Sequence, residues 1–156
     1  MIRILITASL FISVCTGQES LVVSKEEFCL QNSEFNIGGI TYISTKNDII
    51  ALEGKPKEII KNDDLGLETF VYNDLRIDIS NDRFINLIVT SPQYRTPNGL
   101  HCGMSKDEVM KNIGYDKYDK SIKEYQFVNC VTEVYMVIKF NNKNVVTSIE
   151  MGNDVP

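Results

Sequence analysis

The chain has 156 residues, 43% of them hydrophobic, and sets 16 Lys and Arg against 21 Asp and Glu for a formal net charge of −5. That apolar content suffices for a real core, while an acidic chain with dispersed lysines argues against a nucleic-acid partner, which needs clustered cations to displace counterions from phosphate. No run reaches the ~18 consecutive apolar residues of a membrane-spanning helix.

The N-terminus is different in kind from the rest. Arg3 supplies a positive charge, residues 4–14 (ILITASLFISV) are almost wholly apolar, and residues 15–20 (CTGQES) turn small and polar. This order predicts a secretory signal peptide over residues 1–17. Ile12-Ser13-Val14-Cys15 also resembles a bacterial lipoprotein box, although Val14 stands where a small residue is wanted. Ordinary cleavage to a periplasmic or secreted protein is therefore the preferred reading. Lipidation at Cys15, giving an outer-membrane lipoprotein, is the alternative, and only then is a membrane a partner. Of the four cysteines, Cys29, Cys102 and Cys130 then remain. In an oxidising compartment two would pair and one would be left over. Residues 18–34 stay unassigned, since Ser24-Lys25-Glu26-Glu27 suits a helix start and Leu21-Val22-Val23 suits a strand.

From Gly39 the chain writes a phrase that returns sixty places later. GITYISTKNDIIALEG ends at Gly54, and GLHCGMSKDEVMKNIG runs from Gly99 to Gly114. Thr45 aligns with Ser105, and each is an N-cap residue whose hydroxyl can accept from a free N–H of the first helical turn. Asp48 aligns with Glu108, three places on, where a carboxylate completes a capping box and favours the positive end of the helix dipole. Gly54 and Gly114 mark the stops.

A polar stretch and three strand-like runs follow each helix. In the first unit these are residues 68–73 (ETFVYN), 75–80 (LRIDIS) and 84–90 (FINLIVT). In the second they are 124–131 (EYQFVNCV), 134–140 (VYMVIKF) and 145–151 (VVTSIEM). Strict alternation at Leu75, Ile77 and Ile79 marks a half-buried strand, and turns as short as Ser80-Asn81-Asp82 require antiparallel neighbours. Pro92 and Pro97 break the chain between the units. The expected fold is α+β: two tandem repeats of a short helix followed by a three- to four-stranded antiparallel sheet, with the sheets joined edge to edge. The first repeat spans residues 35–91, the linker 92–98, the second repeat 99–152 and a tail 153–156.

The phrase Gly103-Met104-Ser105-Lys106-Asp107-Glu108-Val109, followed by Ile113-Gly114, resembles a helix-start motif of β-lactamase-inhibitor-like proteins and of the small lipoproteins of outer-membrane assembly. Gly54-Lys55-Pro56 is similar to the Gly-x-Pro that often follows it. The first unit departs from the motif, with Ile43-Ser44 where Gly-Met would stand. The resemblance implies a fold whose members mostly bind proteins or envelope components. It does not carry over β-lactamase inhibition.

Few residues suggest chemistry. His101 is the single histidine and neighbours Cys102, but adjacent residues in an extended segment point to opposite faces, and no supporting Asn or Asp is nearby. Asp63-Asp64 and Asp116-Lys117-Tyr118-Asp119 match no calcium-loop pattern, and no His/Cys/carboxylate set has metal-ligand spacing. The chain is therefore expected not to be an enzyme and to need no cofactor or metal. The preferred reading is an exported bacterial module that binds a protein in the cell envelope, inhibitors and immunity proteins being one subclass. An assembly lipoprotein anchored through Cys15 comes second, and a small exported enzyme third.

Two placements complete the reading. Cys102 and Cys130 align with the aromatics Tyr42 and Phe70, which predicts a Cys102–Cys130 disulfide and leaves Cys29 as the spare thiol. Alternation sends Leu75, Ile77, Ile79, Met136, Ile138 and Phe140 toward the helices, together with Phe84 and Ile88. The opposite face then presents Arg76, Asp78, Ile85, Leu87, Val89, Tyr135, Val137 and Lys139. That is more apolar surface than a solvated face needs, and it predicts the place where a partner docks.

Overall fold

The computed structural model describes residues 28–115, 117–129 and 131–153. The signal peptide, most of the segment 18–34 and nearly all of the tail lie outside them. In chain order the elements are β1 (Phe28–Cys29), a 3-10 turn (Asn32–Glu34), β2 (Asn36–Ile37), β3 (Ile40–Thr41), α1 (Lys46–Glu53), β4 (Glu58–Asn62), β5 (Leu67–Val71), β6 (Leu75–Ser80), β7 (Arg83–Val89), α2 (Lys106–Asn112), β8 (Glu124–Val128), β9 (Val134–Phe140) and β10 (Val146–Asn153).

Both helices start as their sequences dictate. Asp48 N–H donates to Thr45 Oγ1 at 3.3 Å while Thr45 N–H donates to Asp48 Oδ2 at 2.9 Å. Ser105 and Glu108 exchange the same pair of bonds at 3.3 and 2.8 Å. Each start is also tied to a hairpin: Lys46 N–H donates to Asp82 O, and Lys106 N–H to Asn144 O. Asn81 and Asp82, at φ 49° and 66°, form the left-handed pair that a two-residue hairpin between Ser80 and Arg83 requires.

The expectation of two tandem helix-plus-sheet units is overturned. The strands make one eight-stranded sheet in the order β1-β8-β9-β10-β7-β6-β5-β4, all antiparallel except β1, which runs parallel to β8; β2 and β3 form a separate two-stranded sheet. Among the described residues α-helix is confined to two short segments of eight and seven residues. The expected edge-to-edge join is the ladder between β7 and β10, from Val89↔Ile149 to Asn86↔Gly152. It is an ordinary antiparallel ladder, so the strands form one continuous sheet and not two units. A matching phrase reports a local capping event. It does not decide how strands are divided among sheets.

One face of this sheet carries the core. Phe70, Ile77, Leu87, Phe127, Met136 and Ile138 are fully buried there, in one cluster with Ile49 of α1, Val109 and Met110 of α2, and Phe35, Ile37 and Ile40 around the small sheet. The ladder slips once between β6 and β7: Asp78 pairs with Asn86 but Ile79 pairs with Phe84, so Ile85 has no opposite number. This bulge lets Phe84 and Leu87 both face inward.

Candidate interaction face

The second face of the sheet is covered by no described helix, and register sets its side chains in rows. One row crosses the strands as Gln126, Val137, Glu150, Ile88, Arg76 and Val71; the next runs Val128, Tyr135, Gly152, Asn86, Asp78 and Thr69. Charged and apolar groups therefore alternate across the middle of the face. Lys139 Nζ lies 3.6 Å from Glu124 Oε2 and 3.8 Å from Glu150 Oε2, so one cation is shared by two carboxylates. Thr69 donates to Asp78 Oδ1 at 2.6 Å. Tyr135 lies flat across Gly152, where an added Cβ would overlap its hydroxyl and ring edge. That glycine is what allows the aromatic to lie down on the sheet.

Six of the eight residues expected here are in place. Arg76 is exposed, Asp78, Ile85, Tyr135 and Lys139 are half-buried, and Val137 is 8% exposed. Leu87 and Val89 are not on this face: both are 0% exposed, in the core. The bulge at Ile85 moves every later residue of β7 to the other side, so Asn86 and Ile88 take the positions expected of Leu87 and Val89. Sequence reasoning also missed Glu150 and Gly152. Polar Asn86 in an otherwise apolar run was the available signal, because it belongs on the wet face and conflicts with an inward Phe84 unless a residue is inserted between them.

The predicted Cys102–Cys130 disulfide is overturned as well. Cys102 is a free thiol, 3% exposed, donating to Val89 O at 3.5 Å. Burial pushes its pKa up, which makes it a poor nucleophile. Cys29, expected to be spare, is disulfide-bonded instead. Cys130 lies outside the described residues. The aligned aromatics misled because Cys102 abuts β7, whereas Cys29 is carried on β1 beside β8.

His101 does not serve Cys102. Its Nδ1 is 2.7 Å from Gly99 O and 3.2 Å from Arg95 Nη1, while the Cys102 thiol turns to Val89. Asp119 accepts from Ser121 N–H and Oγ at 2.8 and 2.7 Å, and these bonds hold its pKa low. Asp63 and Asp64 are exposed. No group of metal-ligating side chains occurs among the described residues, and none of their helices is long and apolar enough to cross a membrane.

One feature of α2 had no sequence signal. Lys106 is 1% exposed, and its ammonium donates to Lys120 O at 3.1 Å and to Ile122 O. It also sits 4.8 Å above the Phe140 ring centroid and 5.3 Å above that of Tyr125. Burial lowers its pKa. Lys46, the first residue of α1, is by contrast partly exposed and paired with Glu68.

No protein-family model matches the chain, and no curated protein matches it. Solved structures with a similar fold include an extracellular protein containing an SCP domain from Bacillus anthracis, with a TM-score of 0.60, 14% identity, and 85% of this chain covered against 50% of that one. A cysteine-rich secretory protein from Staphylococcus aureus is similar at a TM-score of 0.57 and 10% identity, covering 82% of this chain and 49% of the other. The chain thus spans about half the length of either protein. At this identity the likeness is one of fold, and neither protein is described as a β-lactamase inhibitor or an outer-membrane assembly lipoprotein.

Proposed function

We propose that this chain is an exported, non-enzymatic module that binds a protein partner in the cell envelope through the open face of its large sheet. The observation that carries the reading is the row Val137, Glu150, Ile88, Arg76, with Tyr135 and Ile85 beside it. Half-buried Ile88 there stands between Glu150 and Arg76, an arrangement suited to a partner that buries the isoleucine and pairs with the charges. The signal-like N-terminus supports export, and the similar solved structures are described as extracellular and secretory. The buried thiol and engaged histidine support a role without covalent or acid–base chemistry. Lipidation at Cys15 would tether the same module to a membrane, and the mass of the mature N-terminus distinguishes the two forms.

The test is site-specific photo-crosslinking in the native envelope, with the probe at position 88 or 126 on the open face or at position 111 on α2. The proposal expects one discrete protein adduct from the two sheet positions, absent from position 111 and lost on Arg76→Glu. Adducts of equal yield from all three positions would overturn it.

A further inference from the structure

The strand order ends at β4, and no described strand pairs with its outer edge. All five of its residues are exposed, Ile59 by 45% and Ile60 by 44%. An exposed edge with an isoleucine on each face is a template for another strand. The other edge of the sheet is β1, of which Phe28 and Cys29 are described, pairing parallel with β8.

The sequence of β4 specifies which strand fits. A second copy meeting it about a two-fold axis normal to the sheet must pair antiparallel, and the axis must pass through a residue for like faces to meet. Centred on Ile59, the pairing sets Lys57 against Lys61. Centred on Lys61, it sets Lys61 against itself and Glu58 against Asp64. Centred on Ile60, it sets Ile60 against Ile60, Glu58 against Asn62 and Lys57 against Asp63, so the last two pairs recur on both sides of the axis. Of these three only the last opposes unlike charges within three residues of the axis. Centring on Asn62 would set Lys61 against Asp63, but Lys61 is already held by Glu68 at 3.4 Å and Ile60 would then face Asp64. The free chain suits the register about Ile60. Asn62 Oδ1 already accepts from Leu65 N–H at 3.2 Å, leaving its amide N–H groups to donate to Glu58 of the other copy. Lys61 is neutralised within its own chain by Glu68 at 3.4 Å, so its stem can cover Ile59 of the other copy. Asp63 has no ion-pair partner among the described residues.

We infer that the chain self-associates through β4, pairing antiparallel about Ile60 and joining two eight-stranded sheets into one. The contact uses a different surface from the open sheet face, which stays accessible in both copies, so either idea can fail alone.

Sedimentation equilibrium on the purified chain, from micromolar to millimolar, tests this. The wild-type protein is expected to show a concentration-dependent monomer–dimer equilibrium. Ile60→Lys, which sets two ammonium groups against each other on a residue outside the core, should weaken it by about tenfold or more. Lys57→Glu and Asp63→Lys should each weaken it several-fold, and the double swap should return it to about twofold of wild type. Unfolding curves unchanged from wild type confirm that the variants fold. A wild-type chain that is monomeric throughout, a dimer indifferent to Ile60→Lys, or a double swap that does not restore pairing would overturn the inference.

Discussion

Replacing Lys106 with Met asks what the buried ammonium contributes beneath α2. Methionine retains most of the aliphatic stem but leaves the carbonyls of Lys120 and Ile122 without their donor. A hydrogen bond to a charged group is worth about 1.5–3 kcal/mol, and a desolvated cation–π contact adds up to ~2 kcal/mol. Against these stands the cost of holding an ammonium out of water, several kcal/mol per ion. The expected balance is a loss of about 2 kcal/mol, since two carbonyls are orphaned at once. For a domain of this size that lowers Tm by about 4–8 °C. Lys106→Ala, which also opens a cavity, should cost about 4 kcal/mol. Urea titration and thermal melts at pH 7 measure both. Because burial lowers the Lys106 pKa, the native state sheds this proton at a lower pH than the unfolded chain. Wild-type stability therefore rises relative to Lys106→Met as pH climbs from the folded pKa toward the ordinary lysine value. Lys46→Met provides the contrast: its side chain is 32% exposed and its partner Glu68 27%, so the Tm change should be under about a third as large. The reasoning is refuted if Lys106→Met is as stable as wild type, or if the two substitutions cost the same.

Thr45→Ala and Ser105→Ala should each lower stability by about 1 kcal/mol, the usual size of a lost cap, and a silent substitution in urea unfolding would mean that its capping box is not populated. Glu34 is 8% exposed with Oε2 unpartnered, and burial raises its pKa. A raised carboxylate pKa withholds stability as pH rises from the ordinary glutamate value through the folded one, so Glu34→Gln should exceed wild type in stability at pH 7 and match it in acid; equal stability at pH 7 would contradict this. Non-reducing peptide mapping should leave Cys102 unlinked and join Cys29 to Cys130, two residues beyond the register partner of Cys29, Val128; a Cys15–Cys29 peptide would refute that pairing. Gly152→Ala should lift Tyr135 off the sheet while shifting stability by less than ~1 kcal/mol, since strand Gly→Ala recovers backbone entropy. Changed Tyr135 ring resonances with an unchanged melt are the expected result, and unchanged resonances would mean the ring does not lie there.

What the sequence made legible is what is decided within a few residues. Thr45 with Asp48 and Ser105 with Glu108 announced the helix starts because a capping box closes within one turn. Leu75, Ile77 and Ile79 announced the inner face of β6 because alternation is a property of one strand. Elements defined by contact with another segment were not readable. β2 and β3 are two residues long and exist through each other. β4, reading Glu-Ile-Ile-Lys-Asn, has no alternation because it buries neither face. Lys106 carries the same residue type as Lys46, and only the fold makes one buried and the other half-exposed.

The candidate face shows the same division at finer grain. On β9 no residue is inserted, so register keeps Tyr135, Val137 and Lys139 on one side of the strand, although Val137 is only 8% exposed there. On β7 one inserted residue reversed the assignment of Leu87 and Val89. A bulge costs little in a single strand's pattern but moves every side chain beyond it. Its presence follows from the turn at Asn81-Asp82, which sets Ser80 against Arg83 and Ile79 against Phe84, while the ladder farther along sets Leu75 against Val89. From Ile79 to Leu75 is four steps, and from Phe84 to Val89 is five. Both alignments are satisfied only if β7 carries one residue more than β6 between them. The same insertion brings Asn86 and Ile88 out beside Tyr135 and Arg76, so the irregularity that spoiled the reading also composes the surface.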